Sequence, residues 1–426
     1  MENTLLYKIS SEANLLNAWG KLNKMNRLSH GMDKVSIEEF AANIDDKINS
    51  ISRRLREGKY KFTQSRAVLI PKSNGKFRPL QVPIVADRLV LKSIAIELEE
   101  QFKEIIAKSE GLSFAYQKKL GIKDAVEKIV EHYTNGYDVV LEADLVNFFG
   151  EVDKERVLKE QVFPALPDTS LNELITLALN QKIGGLESIP KDRRHYFDGL
   201  NKGIPQGNPL SPLLSNLYLS PFDMFLKDKG HKLVRYADDF VVLCKSTEEA
   251  MRAYKDSVSV CHDLGLRIHS MEEKEKTKIV EAKNTTYDFL SITFDGIRYY
   301  PSRENVDRFK SKIRDVCNGR IEYNVLTLLK KVHNVFDGWV SAFYYTQVDK
   351  YAEELDYFIN RQLYLSLRRF DWKLTASSRA KLPKKYRLEE GSHDCLSSIQ
   401  RESSGIPMCI EMLTQKRNID IQNSES

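Results

Sequence analysis

The sequence lacks any apolar run of the roughly 18 residues needed to cross a bilayer. Its start, MENTLLYKISSEANLL, has no basic segment leading into an apolar one. A cytoplasmic protein without membrane partners is expected. Cysteine is scarce and scattered: Cys244, Cys261, Cys317, Cys395 and Cys409 form no C-x-x-C pair and have no H-x-x-x-H partner. This argues against a zinc site or disulfide framework and for buried, reduced thiols. Fixed-period repeats and low-complexity tracts are absent too. What remains is a globular composition, 42% hydrophobic over 426 residues, long enough for a large core and two or three subdomains.

The net charge of +5 conceals an uneven distribution. Ten Lys/Arg stand against two acids from Arg53 to Arg88, and nine against one from Arg361 to Arg387, so the rest of the chain is acidic. Two concentrated basic stretches suit a polyanion-binding groove. A solvated helix face explains Arg53–Lys61 equally well. It explains the second stretch less well, because Tyr364, Phe370, Trp372 and Tyr386 are interleaved with its charges.

The first hundred residues read as mostly helical, interrupted by SRAVLIPKSNGKFRPLQVPIV, in which Ser73-Asn74-Gly75 marks a turn between two strands of a basic hairpin. Amphipathic helices follow at 85–108 and 121–135, then a short buried strand, DVVLEAD, ending at Asp144. One helix is expected from about 154 to 181. After a polar insert, GIPQGNPLSPLLSNLYLSPFDMFL reads as a Pro/Gly-rich loop opening a helix at about Ser211. LVRYADDFVVLC, a helix at about 247–264, the hairpin TTYDFLSITFDGIRYYP and a helical stretch at 304–369 complete the pattern.

Asp238 and Asp239 sit side by side in an apolar run, where like charges repel and burial raises their pKa values. Taken alone, such a pair is most often a surface turn. A solvated turn, however, does not need Val234 and Tyr236 before it and Phe240, Val241, Val242 and Leu243 after it. If the strand ending at Asp144 lies beside this hairpin, three carboxylates converge at one end of a sheet. Two Mg²⁺ ions held about 4 Å apart by such carboxylates would activate a 3′-hydroxyl and stabilise departing pyrophosphate.

The motifs, taken in order, resemble those of the reverse transcriptases. YADD follows GIPQGNPLSPLLSNLYL and LEADLVNFFGEVD, with AVLIPKSNGKFRPLQVPIVADRLV upstream. GMDKVSIEEF, LREGKY, EKEKTKIV, YDFLSITF and FDGWVSAFYY extend the match to roughly residues 28–370. The combination is similar to the bacterial group II intron-like branch. The resemblance implies an α+β right-hand polymerase with fingers, a palm whose antiparallel sheet carries the catalytic aspartates, and an α-helical thumb. Its expected divisions are 1–135 for an N-terminal extension and fingers, 136–300 for the palm with an insert near 160–205, 301–372 for the thumb, and 373–426 for a basic extension.

Carried over by motif, Asp144, Asp238 and Asp239 would ligate the metals. Phe149 matches the steric gate against a ribose 2′-OH; its other reading is a core aromatic beside Phe148. Gln206 resembles the residue that contacts the incoming nucleotide, and Gly207 would let the backbone approach it closely. Lys72 and Arg78 match the fingers residues that grip the triphosphate. Lys276 matches a lysine proposed to protonate pyrophosphate, with Lys274 and Lys278 as neighbours that compete for the role. Arg368, Arg369, Lys384 and Lys385 are expected on RNA.

The chain departs from the family where F-L-G becomes Phe289-Leu290-Ser291. It also lacks the S-Q ending of diversity-generating enzymes and the N-A-x-x-H and V-T-G elements of retrons. Only about fifty residues follow Trp372, without the metal-ligand spacing of an intron endonuclease. The chain therefore resembles the defence-associated reverse transcriptases, which implies cDNA synthesis from a dedicated noncoding RNA in a monomeric ribonucleoprotein that contributes to antiphage immunity. Two other readings are an intron maturase and an untemplated or protein-primed DNA polymerase of abortive-infection type.

Overall fold

The computed structural model describes residues 4–72, 75–273, 275–319, 324–367, 395–396, 401–402 and 404–425. The chain divides into two compact units, residues 1–279 and 280–426. No described helix is long and apolar enough to cross a membrane.

In the first unit the helices Leu5–Ser10, Glu12–Lys21 and Ile44–Arg56 pack on Val85–Gln101. Ile48, Ile51 and Leu55 face that core, while Arg53, Arg54 and Arg56 lie exposed in the last turn, where the helix dipole favours cations. Exposure of these three arginines suits a solvated face and a polyanion-binding face alike.

The basic hairpin forms as expected. Strands β1 (Ser65–Pro71) and β2 (Phe77–Val82) pair antiparallel, from Arg66 opposite Val82 to Pro71 opposite Phe77. Ser73 and Asn74 lie outside the described residues. Side chains alternate across the ladder. Phe77 turns to the segment that follows it in space, meeting Tyr196 edge-on at 5.7 Å and carrying Arg193 over its ring at 4.5 Å. Arg78, opposite Ile70, and Lys72 two residues beyond Ile70 are left on the other face.

The central sheet is built from β3 (Val139–Asp144), β5 (Lys232–Tyr236), β6 (Asp239–Cys244) and β7 (Lys278–Glu281), in the order β5-β6-β3-β7. The short β4 (Ile183–Gly184) instead joins the hairpin, running parallel to β1. Leu233, Val234, Phe240, Val241, Val242 and Leu243 have no exposed surface, which is why this stretch reads as continuously apolar. Helices Ser211–Asp228 and Thr247–Asp263 begin where the sequence places them.

The single helix expected over 154–181 does not form. A short helix, Lys154–Arg156, widens into a π-helical stretch at Val157–Val162, tightens at Phe163–Ala165 and stops, and helix resumes at Asn172–Leu179. Pro164 and Pro167 have no N–H to continue the ladder. Asp168 stabilises the interruption by accepting the N–H groups of Leu5 and Ser170.

The second unit opens with a meander of β8 (Tyr287–Phe289), β9 (Ile292–Asp295) and β10 (Arg298–Pro301), followed by helices Arg303–Asn318, Val325–Phe343 and Ala352–Leu367. FDGWVSAFYY supplies its aromatic seam: Trp339 packs against Phe309 with tilted rings at 4.9 Å and donates to Asn305 Oδ1 at 2.7 Å. The weakly periodic C-terminus contains a helix, Cys409–Glu425, that packs on the two preceding helices. Arg417 anchors it by donating to the carbonyls of Tyr344 and Thr346 at the end of Val325–Phe343.

The F-L-S departure has a local consequence. Leu290 and Ser291 form the β8–β9 turn with φ of +53° and +65°, both left-handed, as mirror-image hairpin turns require. Glycine takes this conformation freely; serine does not. Ser291→Gly is expected to raise stability by about 1 kcal/mol, the usual scale of the left-handed penalty, measured by urea unfolding. An unchanged or lower midpoint would show that the turn is not strained.

Candidate active site

The site begins with register. Asp144, the last residue of β3, pairs with Asp239, the first of β6. Tyr236 also pairs with Asp239, so Ala237 and Asp238 form a two-residue turn between β5 and β6. The three aspartates therefore meet at one end of the sheet, as the sequence suggests. Ala237 has φ of +61° in this turn, a conformation that costs an alanine energy and needs outside support.

Arg235 provides that support from beneath. It is 0% exposed, as is Asp223, and its Nε and Nη2 each donate to the Asp223 carboxylate at 2.6 Å. Its Nη1 donates to Ala237 O at 2.9 Å and to Asn216 Oδ1 at 3.3 Å. Asn216 and Asp223 both belong to the helix Ser211–Asp228, so that helix holds the aspartate turn through one guanidinium.

Like charge crowds the top of the turn. Burial, and after it the neighbouring Asp144, raises the Asp238 pKa; burial, Asp238 and Asp144 push Asp239 up to about 7. Solvent reaches Asp239, yet protein surrounds it on most sides. Cations face the cluster. Lys276 Nζ donates to Asp144 Oδ2 at 2.6 Å, and that bond raises the lysine's pKa. Lys278 pairs with Glu142 at 3.0 Å instead, and Lys274 lies outside the described residues, so Lys276 is the lysine seen at the aspartates. Lys72 has its pKa lowered by partial burial and by Arg78 and Lys276, while Asp144 and Asp238 oppose the shift. Hairpin, sheet end and the 270–277 loop thus meet at one place.

Two cavities adjoin there. One, of about 410 Å³, is lined by Arg78, Tyr116, Phe149, Gln206, Gly207 and Asp238 among others. The second, of about 230 Å³, is lined by Lys72, Arg78, Asn147, Phe149, Gly150 and Gln206 among others. Phe149 meets Phe148 edge-on at 5.4 Å, yet only Phe148 is buried; the Phe149 ring forms wall for both cavities. Phe148 is core, whereas Phe149 is half-buried, packing on that core with one side and lining the cavities with the other.

The PQG loop is fastened at both sides. Ile204 N–H donates to Phe149 O at 2.9 Å, and Gln206 O accepts from Gln81 N–H at 2.8 Å. Gln206 lines both cavities, and its Oε1 is buried with no hydrogen-bond partner. At Gly207, φ is +104° and an added Cβ would stand 2.5 Å from Gln81 O. The close approach that this glycine permits is to β2, where the sequence suggested the nucleotide.

Among the described residues no three Asp, Glu, His or Cys side chains already stand as a ready-made metal cage. Asp144 is turned to Lys276. The donor set nevertheless fits a hard divalent cation: three carboxylates, two with raised pKa values from burial and mutual repulsion, converge on one end of a sheet.

Nine of the expected residues come together, namely Asp144, Asp238, Asp239, Lys276, Lys72, Arg78, Phe149, Gln206 and Gly207. Arg368, Arg369, Lys384 and Lys385 lie outside the described residues. Sequence reasoning missed Tyr116, Arg235 and Asp223. Arg235 carried a signal, since a charge inside the buried run LVRYADD requires a buried acid nearby.

Comparison with known proteins identifies the family to which this fold belongs. The family model described as reverse transcriptase (RNA-dependent DNA polymerase) matches residues 70–294, and the chain belongs to that family, whose class is the α+β right-hand polymerase. The chain is 25% identical over 283 residues to protein YkfC of Escherichia coli (strain K12), covering 58% of this chain and 71% of that protein. It is 26% identical over 237 residues to the group II intron-encoded protein LtrA of Lactococcus lactis subsp. cremoris, covering 55% of this chain but 36% of that protein. Among solved structures, a partial complex of Cas6-RT-Cas1 with Cas2 matches with a TM-score of 0.37 and 26% identity, over 65% of this chain and 44% of that chain.

Removing the buried guanidinium tests what holds the site. Arg235→Met leaves Asp223 uncompensated and is expected to lower stability by about 3 kcal/mol or more, read from urea unfolding. Arg235→Met with Asp223→Leu should recover part of the loss. A loss below about 1 kcal/mol, the level of a surface pair, would contradict the buried-pair account.

Proposed function

We propose that the chain synthesises cDNA on an RNA template by nucleotidyl transfer in this cleft. The observation that carries the reading is the Asp144–Asp239 register pair with Asp238 in the adjoining turn, faced by Lys72, Arg78 and Lys276. Asp144, Asp238 and Asp239 would hold two Mg²⁺ ions, with Asp144 leaving Lys276. When bound, the ions would lower the pKa of the primer 3′-hydroxyl and neutralise charge on the phosphates.

The chain's own residues do the rest. Lys72 and Arg78 grip the triphosphate, one as a point charge and the other as a planar fork. The Phe149 ring fills the space of a 2′-hydroxyl. Gln206, on the wall of both cavities, contacts the incoming nucleotide. Lys276 holds at Nζ the proton that departing pyrophosphate takes.

In this reading the fingers are residues 1–135, the palm 136–300 with the insert at about 160–205, the thumb 301–372, and residues 373–426 a basic extension. The finer proposal is that the template is a dedicated noncoding RNA and the setting antiphage defence, in the cytoplasm, with a monomeric ribonucleoprotein as the working unit. The basic stretches 53–88 and 361–387 support RNA retention. Similarity to an intron-encoded protein favours a second reading, a maturase-like role for which DNA synthesis is incidental.

Asp238→Ala with Asp239→Ala is expected to abolish deoxynucleotide incorporation on a primed RNA while leaving the melting temperature unchanged or raised, because like-charge repulsion is relieved. Incorporation at the wild-type rate would sink the polymerase site. Sequencing of RNA that copurifies with the wild type should find one discrete species; reads in proportion to transcript abundance would remove the dedicated template.

Phe149→Ala is expected to raise the ratio of ribonucleotide to deoxynucleotide use, measured by single-nucleotide incorporation. If a folded, active variant keeps the wild-type ratio, the ring is packing and not a gate.

A further inference from the structure

Asn147, Ala237 and Tyr116, none of them glycine, take left-handed backbone around the cleft. Asn147 precedes Phe148-Phe149 and Ala237 precedes Asp238-Asp239, so each aims residues already given a task. Tyr116, with φ of +61°, has none. Such a conformation is unfavourable for a bulky residue and persists where its surroundings enforce it.

The enforcement is visible. Arg235 N–H donates to Leu112 O at 2.7 Å and Phe114 N–H donates to Arg235 O at 3.0 Å, binding this stretch to β5. Asn216 Nδ2 donates to Ala115 O at 2.9 Å, and Gln117 Nε2 to Ser113 O at 2.8 Å. Arg235 and Asn216 therefore position both the aspartate turn and the backbone that presents Tyr116. So firmly held a tyrosine would ordinarily be buried, yet this one is 52% exposed and lines the larger cavity with Asp238, Phe149 and Gln206.

The side of the cleft it occupies is informative. Arg78, Phe149 and Gln206 line both cavities, so the nucleotide would lie across them; Lys72 lines only the smaller, which puts the leaving end of the triphosphate on that side. Tyr116 lines the other cavity, with Asp238. In-line displacement places the attacking 3′-hydroxyl opposite the leaving pyrophosphate. Resting on the polymerase reading, we propose that Tyr116 contacts the terminal primer nucleotide, its ring against the sugar and base, and so holds the 3′-hydroxyl over Asp238.

Single-nucleotide extension on an RNA template, with matched and mismatched primer ends, tests this in Tyr116→Ala, Tyr116→Gly and Tyr116→Phe. Glycine relieves the left-handed strain, so Tyr116→Gly keeps the test open if the alanine variant folds poorly. Expected are a fall in kcat of about tenfold or more for Ala and Gly, an unchanged KM for the deoxynucleotide, weaker rejection of mismatched ends, and a smaller loss for Phe. Ala and Gly variants within about twofold of wild type at both primer ends, or a rise in deoxynucleotide KM at constant kcat, would overturn the assignment. A wild type that extends no primer sinks the polymerase reading and this inference together; an active wild type with unaffected variants sinks only this one.

Discussion

The Arg235–Asp223 pair is the constraint on which the site depends. A guanidinium with no exposed surface is tolerable only when its donors are met, and here the carboxylate takes two bonds while Asn216 and the Ala237 carbonyl take others. The geometry of that fork is rigid, so the partners are fixed relative to one another. Helix Ser211–Asp228, strand β5, the aspartate turn and the 112–115 stretch all attach to it. A buried apolar side chain could fill the volume but could not reach the Ala237 carbonyl.

Above that support the cleft sets unlike charges against each other. Burial, and with it mutual repulsion, raises the pKa values of Asp238 and Asp239, and Lys276 and Lys72 answer from separate segments. Each cation arrives by its own route. Alternation along β1 and β2 sends Phe77 to the insert side and leaves Lys72 and Arg78 on the other, whereas Lys276 stands in a loop immediately before β7. The register of each strand is therefore a functional quantity, since a slip of one residue would exchange the faces.

The second unit uses buried arginine differently. Arg401, also 0% exposed, donates to Ile406 O, Asn360 Oδ1 and Pro407 O, and Arg417 caps carbonyls at the end of Val325–Phe343. Both tie the C-terminal residues to the helices before them. The helix Cys409–Glu425 has little amphipathic pattern, which is why periodicity alone left it unassigned; its attachment runs through a few polar contacts and the buried Cys409, Met412 and Leu413.

The sequence by itself determined the polymerase motifs, the hairpin, the strand ending at Asp144 and the helices from Ser211 and Thr247, because motif order, turn residues and hydrophobic period are local properties. It also placed a charge, Arg235, where only a buried partner would make sense. Tertiary structure alone decided that the partner is Asp223, that Lys276 and not Lys278 reaches Asp144, that Gly207 makes room for Gln81, and that Tyr116 stands at the cavity wall. Each of these depends on which strands become neighbours and in what register, and no window of the chain contains that information.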